Sequence, residues 1–88
     1  MTVKTFHAYS DSGHAWVKVS KDMLKDLNIS DQITSCSYMR NNFAYLEEDT
    51  DLTTFYHAYK AKYNIEPVFN AHYSDRSRIR TYEHYTNK

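Results

Sequence analysis

A strand-turn-strand pattern that leads directly into an amphipathic helix constrains the fold of this 88-residue chain more than any other feature. Two runs rich in β-branched and aromatic side chains, residues 33–39 and 43–46, flank the tripeptide Arg40-Asn41-Asn42. Asparagine tolerates the positive φ that a tight turn requires, so the pattern predicts a β-hairpin.

The helix that follows the hairpin has a cap at each end and one continuous apolar face. Thr50 or Asp51 can cap its N-terminus, and Asn64 can end it. Large side chains recur with the spacing of one helical face. They are Leu52, Phe55, Tyr56, Tyr59 and Tyr63. Lys60 and Lys62 near the C-terminal end match the helix dipole.

The remaining elements complete a single predicted domain over residues 1–88. Residues 3–10 and 15–19 read as strands around a turn that holds Gly13, the only glycine, which we expect to adopt a backbone geometry that other residues resist. Ser20 caps a short helix over residues 21–28, and residues 68–85 follow Pro67 as extended chain. The order β-β-α-β-β-α-β predicts an α+β fold, a two-layer antiparallel sheet with both helices on one face.

Composition excludes several classes of protein. The chain has 11 basic and 11 acidic residues, so its formal net charge is zero, which argues against a protein that coats nucleic acid and against an acidic DNA mimic. One cysteine, Cys36, rules out an internal disulfide, and we expect it to be a small core or interface residue. No apolar run reaches the roughly 20 residues of a membrane span, so the sequence predicts a cytoplasmic protein without membrane contact.

The acidic cluster, defined as Glu47, Glu48, Asp49 and Asp51, follows the predicted hairpin. It has three interpretations: helix capping with solvation, a surface for a basic partner to which Tyr45 adds contact area, or a cation site. A cation site is disfavoured because one short turn supplies few convergent oxygen ligands.

The arginine stripe, defined as Arg76, Arg78 and Arg80, is the second charged feature. In an extended conformation these residues and Tyr82 share one side, about 7 Å apart per pair of residues. Guanidinium groups beside aromatic rings are typical of phosphate and base recognition. Alternatively, the arginines pair with Glu47, Glu48 and Asp49, or are solvated.

The five histidines show none of the spacings that place two imidazoles on one side of a helix or strand as metal ligands. No glycine-rich phosphate loop, nucleophile elbow or dinucleotide motif is present, so we expect no metal, no cofactor and no enzyme activity. One catalytic alternative is a nuclease that uses His72 and His84 as acid and base, with Arg78 and Arg80 on the phosphate.

Three stretches carry a resemblance to a known group of proteins: His14-Ala15-Trp16, residues 35–38, and residues 44–49. Together they resemble small, mostly uncharacterised proteins of bacteriophages and prophages, over about the first two thirds of the chain. Ala15 and Thr50 stand where that group often has Gly and Cys. The resemblance implies a phage-borne protein in the bacterial cytoplasm that binds a host factor or blocks a defence system.

Two functions follow as predictions from the sequence. The first is a phage-encoded inhibitor, for example an anti-CRISPR protein, that occludes a host or defence component with the acidic cluster and Tyr45. The second is a nucleic-acid or nucleotide binder that uses the arginine stripe and Tyr82. A homodimer is compatible with both.

Overall fold

A six-stranded sheet with two helices on one face forms the protein in the computed structural model, which describes residues 4–87. The strands are β1 (Thr5–Ser10), β2 (Ala15–Ser20), β3 (Tyr38–Arg40), β4 (Phe43–Glu47), β5 (Val68–Tyr73) and β6 (Glu83–His84). The helices are α1 (Lys21–Asp26) and α2 (Asp51–Tyr63), and a 3₁₀ helix spans Arg78–Thr81. The predicted α+β class and the predicted order of strands and helices along the chain are confirmed up to β5.

Asparagine and serine set the local boundaries as predicted. Asn41, in the two-residue turn between β3 and β4, has φ 55°, and Asn64 ends α2 at φ 57°. The Ser20 hydroxyl accepts a hydrogen bond from the Met23 amide at 3.0 Å and so caps α1. Thr50 occupies the N-cap position of α2 but its side chain makes no capping bond.

The sheet is mixed, which corrects the prediction of an antiparallel sheet. Its strand order is β5-β1-β2-β4-β3-β6, and β5 pairs with β1 in parallel. Helix α2 connects β4 to β5 across the sheet, and such a helical crossover joins strands that run in the same direction. Because β4 already runs parallel to β1 through β2, β5 does so as well.

The main core lies between the helices and one face of the sheet. Its strand residues alternate with residues of the other face. The fully or nearly fully buried members include Val19, Leu24, Ala44, Leu46 and Phe55. Phe55 meets Phe6 of β1 edge to face, with ring centroids 5.0 Å apart. Tyr59 is also buried, as the helical spacing predicted.

Gly13 has a negative φ, so the prediction of an unusual backbone geometry is wrong. The glycine leaves room for Arg80 instead, because a Cβ at this position would lie 3.0 Å from Nη2 of Arg80 and the guanidinium would have to shift. Neither of the two helices in the described part of the chain is long and apolar enough to cross a membrane.

Candidate functional site

The face of the sheet that turns away from the helices is rich in aromatic and basic side chains; we call it the aromatic face. Strand alternation brings Tyr9 of β1, Trp16 and Lys18 of β2, and Phe43 and Tyr45 of β4 to this side. The chain between β5 and β6, residues 74–82, crosses over it and forms what we call the strap. The aromatic face and the strap together enclose the candidate site.

A second, smaller core fixes the strap to the sheet. Ile79 of the 3₁₀ helix packs with Trp16 and Tyr45, and all three are buried. Tyr82 lies with its ring centroid 5.1 Å from that of Tyr45. Burial raises the pKa of Tyr45, and the neighbouring phenols of Tyr82 and Tyr9 raise it further, so the Tyr45 hydroxyl is neutral at ordinary pH.

An ion pair between Asp11 and Arg80 locks the strap in place. The Nε and Nη2 atoms of Arg80 donate to the Asp11 carboxylate at 2.6 and 3.0 Å. The same carboxylate accepts from the amides of Gly13 and His14, both at 3.0 Å. The bond from Arg80, followed by that from the Gly13 amide, holds the pKa of Asp11 well below its usual range.

The arginine stripe therefore does not exist as predicted. Residues 78–81 form a 3₁₀ helix that Ser77 caps by accepting from the Ile79 amide at 3.2 Å. Arg80 points back to Asp11, whereas Arg76 and Arg78 line a groove. Arg80 is thus a structural residue, whereas Arg76 and Arg78 belong to the candidate site.

The groove lies between the strap and strands β1, β2 and β5, and its volume is about 440 Å³. Among the residues that the structure describes, its walls combine cations with phenol rings and contain no carboxylate. The cations are Lys18, Arg76 and Arg78, and the rings are Tyr9, Tyr45, Tyr73 and Tyr82. Ser10, Ser74 and Ser77 add hydroxyl groups that can donate hydrogen bonds.

The groove cations are free of internal ion pairs. Among residues 4–87, Lys18, Arg76 and Arg78 have no carboxylate oxygen within 4.0 Å. The ammonium of Lys18 lies 4.2 Å from the ring centroid of Phe43, and Arg40 lies 5.1 Å from that of Tyr82. Cation–π contact orients these groups without neutralising them.

Two histidines meet at the outer end of the groove. Nδ1 of His7 and Nε2 of His72 are 2.9 Å apart, and the His72 ring stacks on Tyr9 with centroids 5.1 Å apart. His84, the other residue of the predicted acid–base pair, lies in β6 at the opposite edge of the sheet. Five strand spacings put it about 24 Å away. His72 and His84 therefore cannot act together on one phosphate.

The acidic cluster is divided between structural and exposed residues. Asp51 is buried and accepts from the Thr34 amide at 3.1 Å, from the Thr34 hydroxyl at 2.9 Å and from the Ser37 hydroxyl. Glu47 is 9% exposed and accepts from the Asp49 amide at 2.9 Å. Glu48 and Asp49 remain exposed. Only these two carboxylates could meet a partner surface without refolding.

Other predicted site residues differ in position. Tyr45 is buried under Tyr82 and contributes to the groove rather than to an acidic surface. Cys36 is exposed in a turn, so of the two predicted roles, core or interface residue, the core role is wrong. In the part of the chain that the structure describes, no group of three His, Cys, Asp or Glu side chains could hold a metal ion.

The sequence did not lead us to Lys18 and Tyr9 as members of one site with Arg76 and Arg78, and it placed His72 with Arg78 only in the nuclease alternative. Strand alternation could have identified both residues. Tyr9 and Lys18 alternate with the core residues of β1 and β2 and so lie on the face opposite the helices. The missing information was that the strap folds over that face.

Comparison with known proteins leaves the chain without an assigned relative: no family model, no curated protein and no solved structure matches it.

Proposed function

We propose that this protein binds single-stranded nucleic acid in the groove between the strap and the aromatic face. The observation that carries the proposal is the composition of the groove wall, which, within residues 4–87, combines Lys18, Arg76 and Arg78 with tyrosines and includes no carboxylate. This combination offers charge to a phosphate backbone and flat surfaces to bases.

The groove offers a binding group for each part of such a ligand, its phosphates and its bases. Arg76 and Arg78 are exposed on the strap, where their guanidinium groups can pair with phosphate oxygens. Tyr9 and Tyr82 line the groove and are half-buried, so we expect a base to stack on the part of each ring that His72, Tyr45 and Arg40 do not cover. A stacked base contributes about 1–3 kcal/mol in other proteins of this kind. Bases inside a duplex are already stacked on one another, so the rings favour a single strand.

Zero net charge is compatible with this function because no carboxylate among the described residues lines the groove wall. Asp75 of the strap is exposed but does not line the groove, and Glu48 and Asp49 are exposed after β4. A ligand in the groove therefore meets a locally positive surface. With only a few phosphate contacts, the affinity should be modest and should fall steeply with salt.

Fluorescence anisotropy with labelled single-stranded DNA and RNA tests the proposal directly. Probes of about 4 to 16 nucleotides cover the usual site sizes of small single-strand binders. We expect binding at low salt, weaker binding to a duplex of the same sequence, and loss of affinity in Tyr82→Ala. The absence of binding to every single-stranded probe at low salt would refute the proposal.

The inhibitor hypothesis stays a prediction from the sequence resemblance. The part of the acidic cluster that it could use is limited to the exposed residues Glu48 and Asp49. Reversing Glu47 would disturb a carboxylate that holds the Asp49 amide, so the informative variant is Glu48→Lys with Asp49→Lys. If the protein inhibits a basic host component through this surface, the folded double variant should lose inhibition. Retained inhibition would assign the activity to another surface.

A further inference from the structure

Strand β5 forms one edge of the sheet, and all six of its residues are exposed. Its large apolar side chains are exposed as well: Phe69 by 37% and Tyr73 by 65%. The strand contains no charged residue, and no proline after Pro67 interrupts it. Edge strands that stay unpaired usually carry a lysine, a proline or a bulge. Strand β5 lacks these protective features.

The hydrogen bonds to β1 show which backbone groups of β5 face outward. The Val68 amide donates to the Lys4 carbonyl at 3.4 Å, and the Ser74 amide donates to the Ser10 carbonyl at 2.9 Å. Because backbone direction alternates along a strand, residues of this parity direct their N–H and C=O toward β1. The N–H and C=O groups of Phe69, Ala71 and Tyr73 therefore point away from the sheet.

We propose that β5 pairs antiparallel with β5 of a second copy of this chain, with the two-fold axis at Ala71. Ala71 then lies opposite the partner's Ala71, and Phe69 lies opposite the partner's Tyr73. Directly opposed residues of this kind exchange both of their backbone hydrogen bonds. All outward-facing backbone groups of the strand are paired in this register.

The two neighbouring registers on the same faces are poorer. An axis at His72 would place Phe69 opposite the partner's Asp75 and Ala71 opposite the partner's Tyr73, so no ring would lie opposite a ring. An axis at Asn70 would place Tyr73 opposite the partner's Pro67, which has no N–H to donate. It would also place Phe69 opposite the partner's Ala71 and leave the exposed rings without an aromatic neighbour. A shift by one residue would bring side chains of opposite faces together. Ala71 is thus the centre that the sequence of β5 favours.

The side chains agree with this register on both faces. Phe69, Ala71 and Tyr73 share one side, so each exposed ring packs on an aromatic ring of the second copy. On the other side, Asn70 lies opposite the partner's His72, and an amide can hydrogen-bond an imidazole. No like charges are opposed. Since one strand is a small interface, we expect a weak dimer with a micromolar dissociation constant.

A proline at position 71 tests the pairing without disturbing the monomer. The Ala71 amide makes no bond to β1, so Ala71→Pro should fold with the wild-type circular dichroism spectrum. Sedimentation over micromolar to millimolar concentrations should show a monomer–dimer equilibrium for the wild type. The dissociation constant should rise by about tenfold or more in Ala71→Pro. Ala71→Ser, which keeps the amide, is the matched control and should dimerise normally.

A charge exchange tests the register. Phe69→Lys with Tyr73→Lys should be monomeric, because lysines face each other across the axis, and Phe69→Glu with Tyr73→Glu should be monomeric for the same reason. A mixture of the two should form a heterodimer. A wild type that stays monomeric at every concentration, an Ala71→Pro variant that dimerises normally, or a mixture that does not associate would overturn the proposal. None of these measurements uses nucleic acid, so their outcome is separate from that of the groove.

Discussion

Removing Arg76 and Arg78 should change the salt dependence of nucleic-acid binding more sharply than the affinity at any one salt concentration. Each phosphate that a protein cation neutralises on a single strand contributes about −0.7 to the slope of log K against log salt. The three groove cations then give a slope of about −2, and Lys18 alone gives about −0.7. Between about 50 and about 200 mM salt, the wild type should lose about 20-fold in affinity and the double alanine variant about threefold.

Anisotropy titrations at four or more salt concentrations measure both slopes. The matched control replaces Lys25 and Lys60 by alanine, because both lysines are exposed on the helices and the change in net charge is identical. This control should keep the wild-type slope. Equal slopes in the arginine variant and the wild type would show that phosphates do not bind at Arg76 and Arg78. That result would refute the groove as the binding site.

Three further predictions concern the groups that position the site. Asp51→Asn should lower the free energy of unfolding by about 2–3 kcal/mol, because the side-chain NH₂ group that it introduces would face the Ser37 and Thr34 donors. Urea denaturation measures this difference. The control is Asp49→Asn, whose free energy of unfolding should lie within about 0.5 kcal/mol of the wild-type value. Because the folded pKa of Asp11 is lowered, its contribution to stability should be complete above the unfolded pKa of about 3.9 and should be lost as pH falls toward the folded pKa. Acid titration of stability should accordingly be shallower in Asp11→Asn, and equal curves would contradict this sign. Gly13→Ala should lower the melting temperature by displacing the guanidinium of Arg80, and the effect should disappear in an Arg80→Ala background.

Local chemistry made the turn of the hairpin and both helices predictable, but the predicted strand over residues 33–39 is wrong before Tyr38, where the chain forms a turn instead. Asn41 and Asn64 adopt positive φ, and Ser20 caps α1, because each of these features depends on residues within one or two turns of chain. The position of β5 was not predictable in this way. Its parallel pairing with β1 depends on the path of α2 across the sheet, which no local pattern records.

The arginine stripe shows how an alternating pattern can mislead. The alternation of Arg76, Arg78 and Arg80 with smaller residues matches the period of a strand, but the Ser77 hydroxyl accepts from the Ile79 amide two residues on, and Asp11 attracts Arg80 from 69 residues away. In the acidic cluster, likewise, the sequence showed four carboxylates but not the Thr34 and Ser37 donors that bury Asp51. The Asp11–Arg80 pair and the bonds from Thr34 and Ser37 to Asp51 join residues that are distant in sequence, whereas the Ser77 cap is a local contact.

The way in which the strap is attached affects local opening of the protein. The strap contributes Ile79 to the small core on the aromatic face and nothing to the main core beneath the helices. Regions with few buried contacts open at lower free energy than the rest of a domain. The strap can therefore detach while the main core stays folded, and hydrogen exchange should be faster at the amides of Ile79 and Tyr82 than at those of Val17 and Leu46. Such an opening would widen the groove enough for a continuous strand to enter from the side, so no free end would have to be threaded beneath the strap.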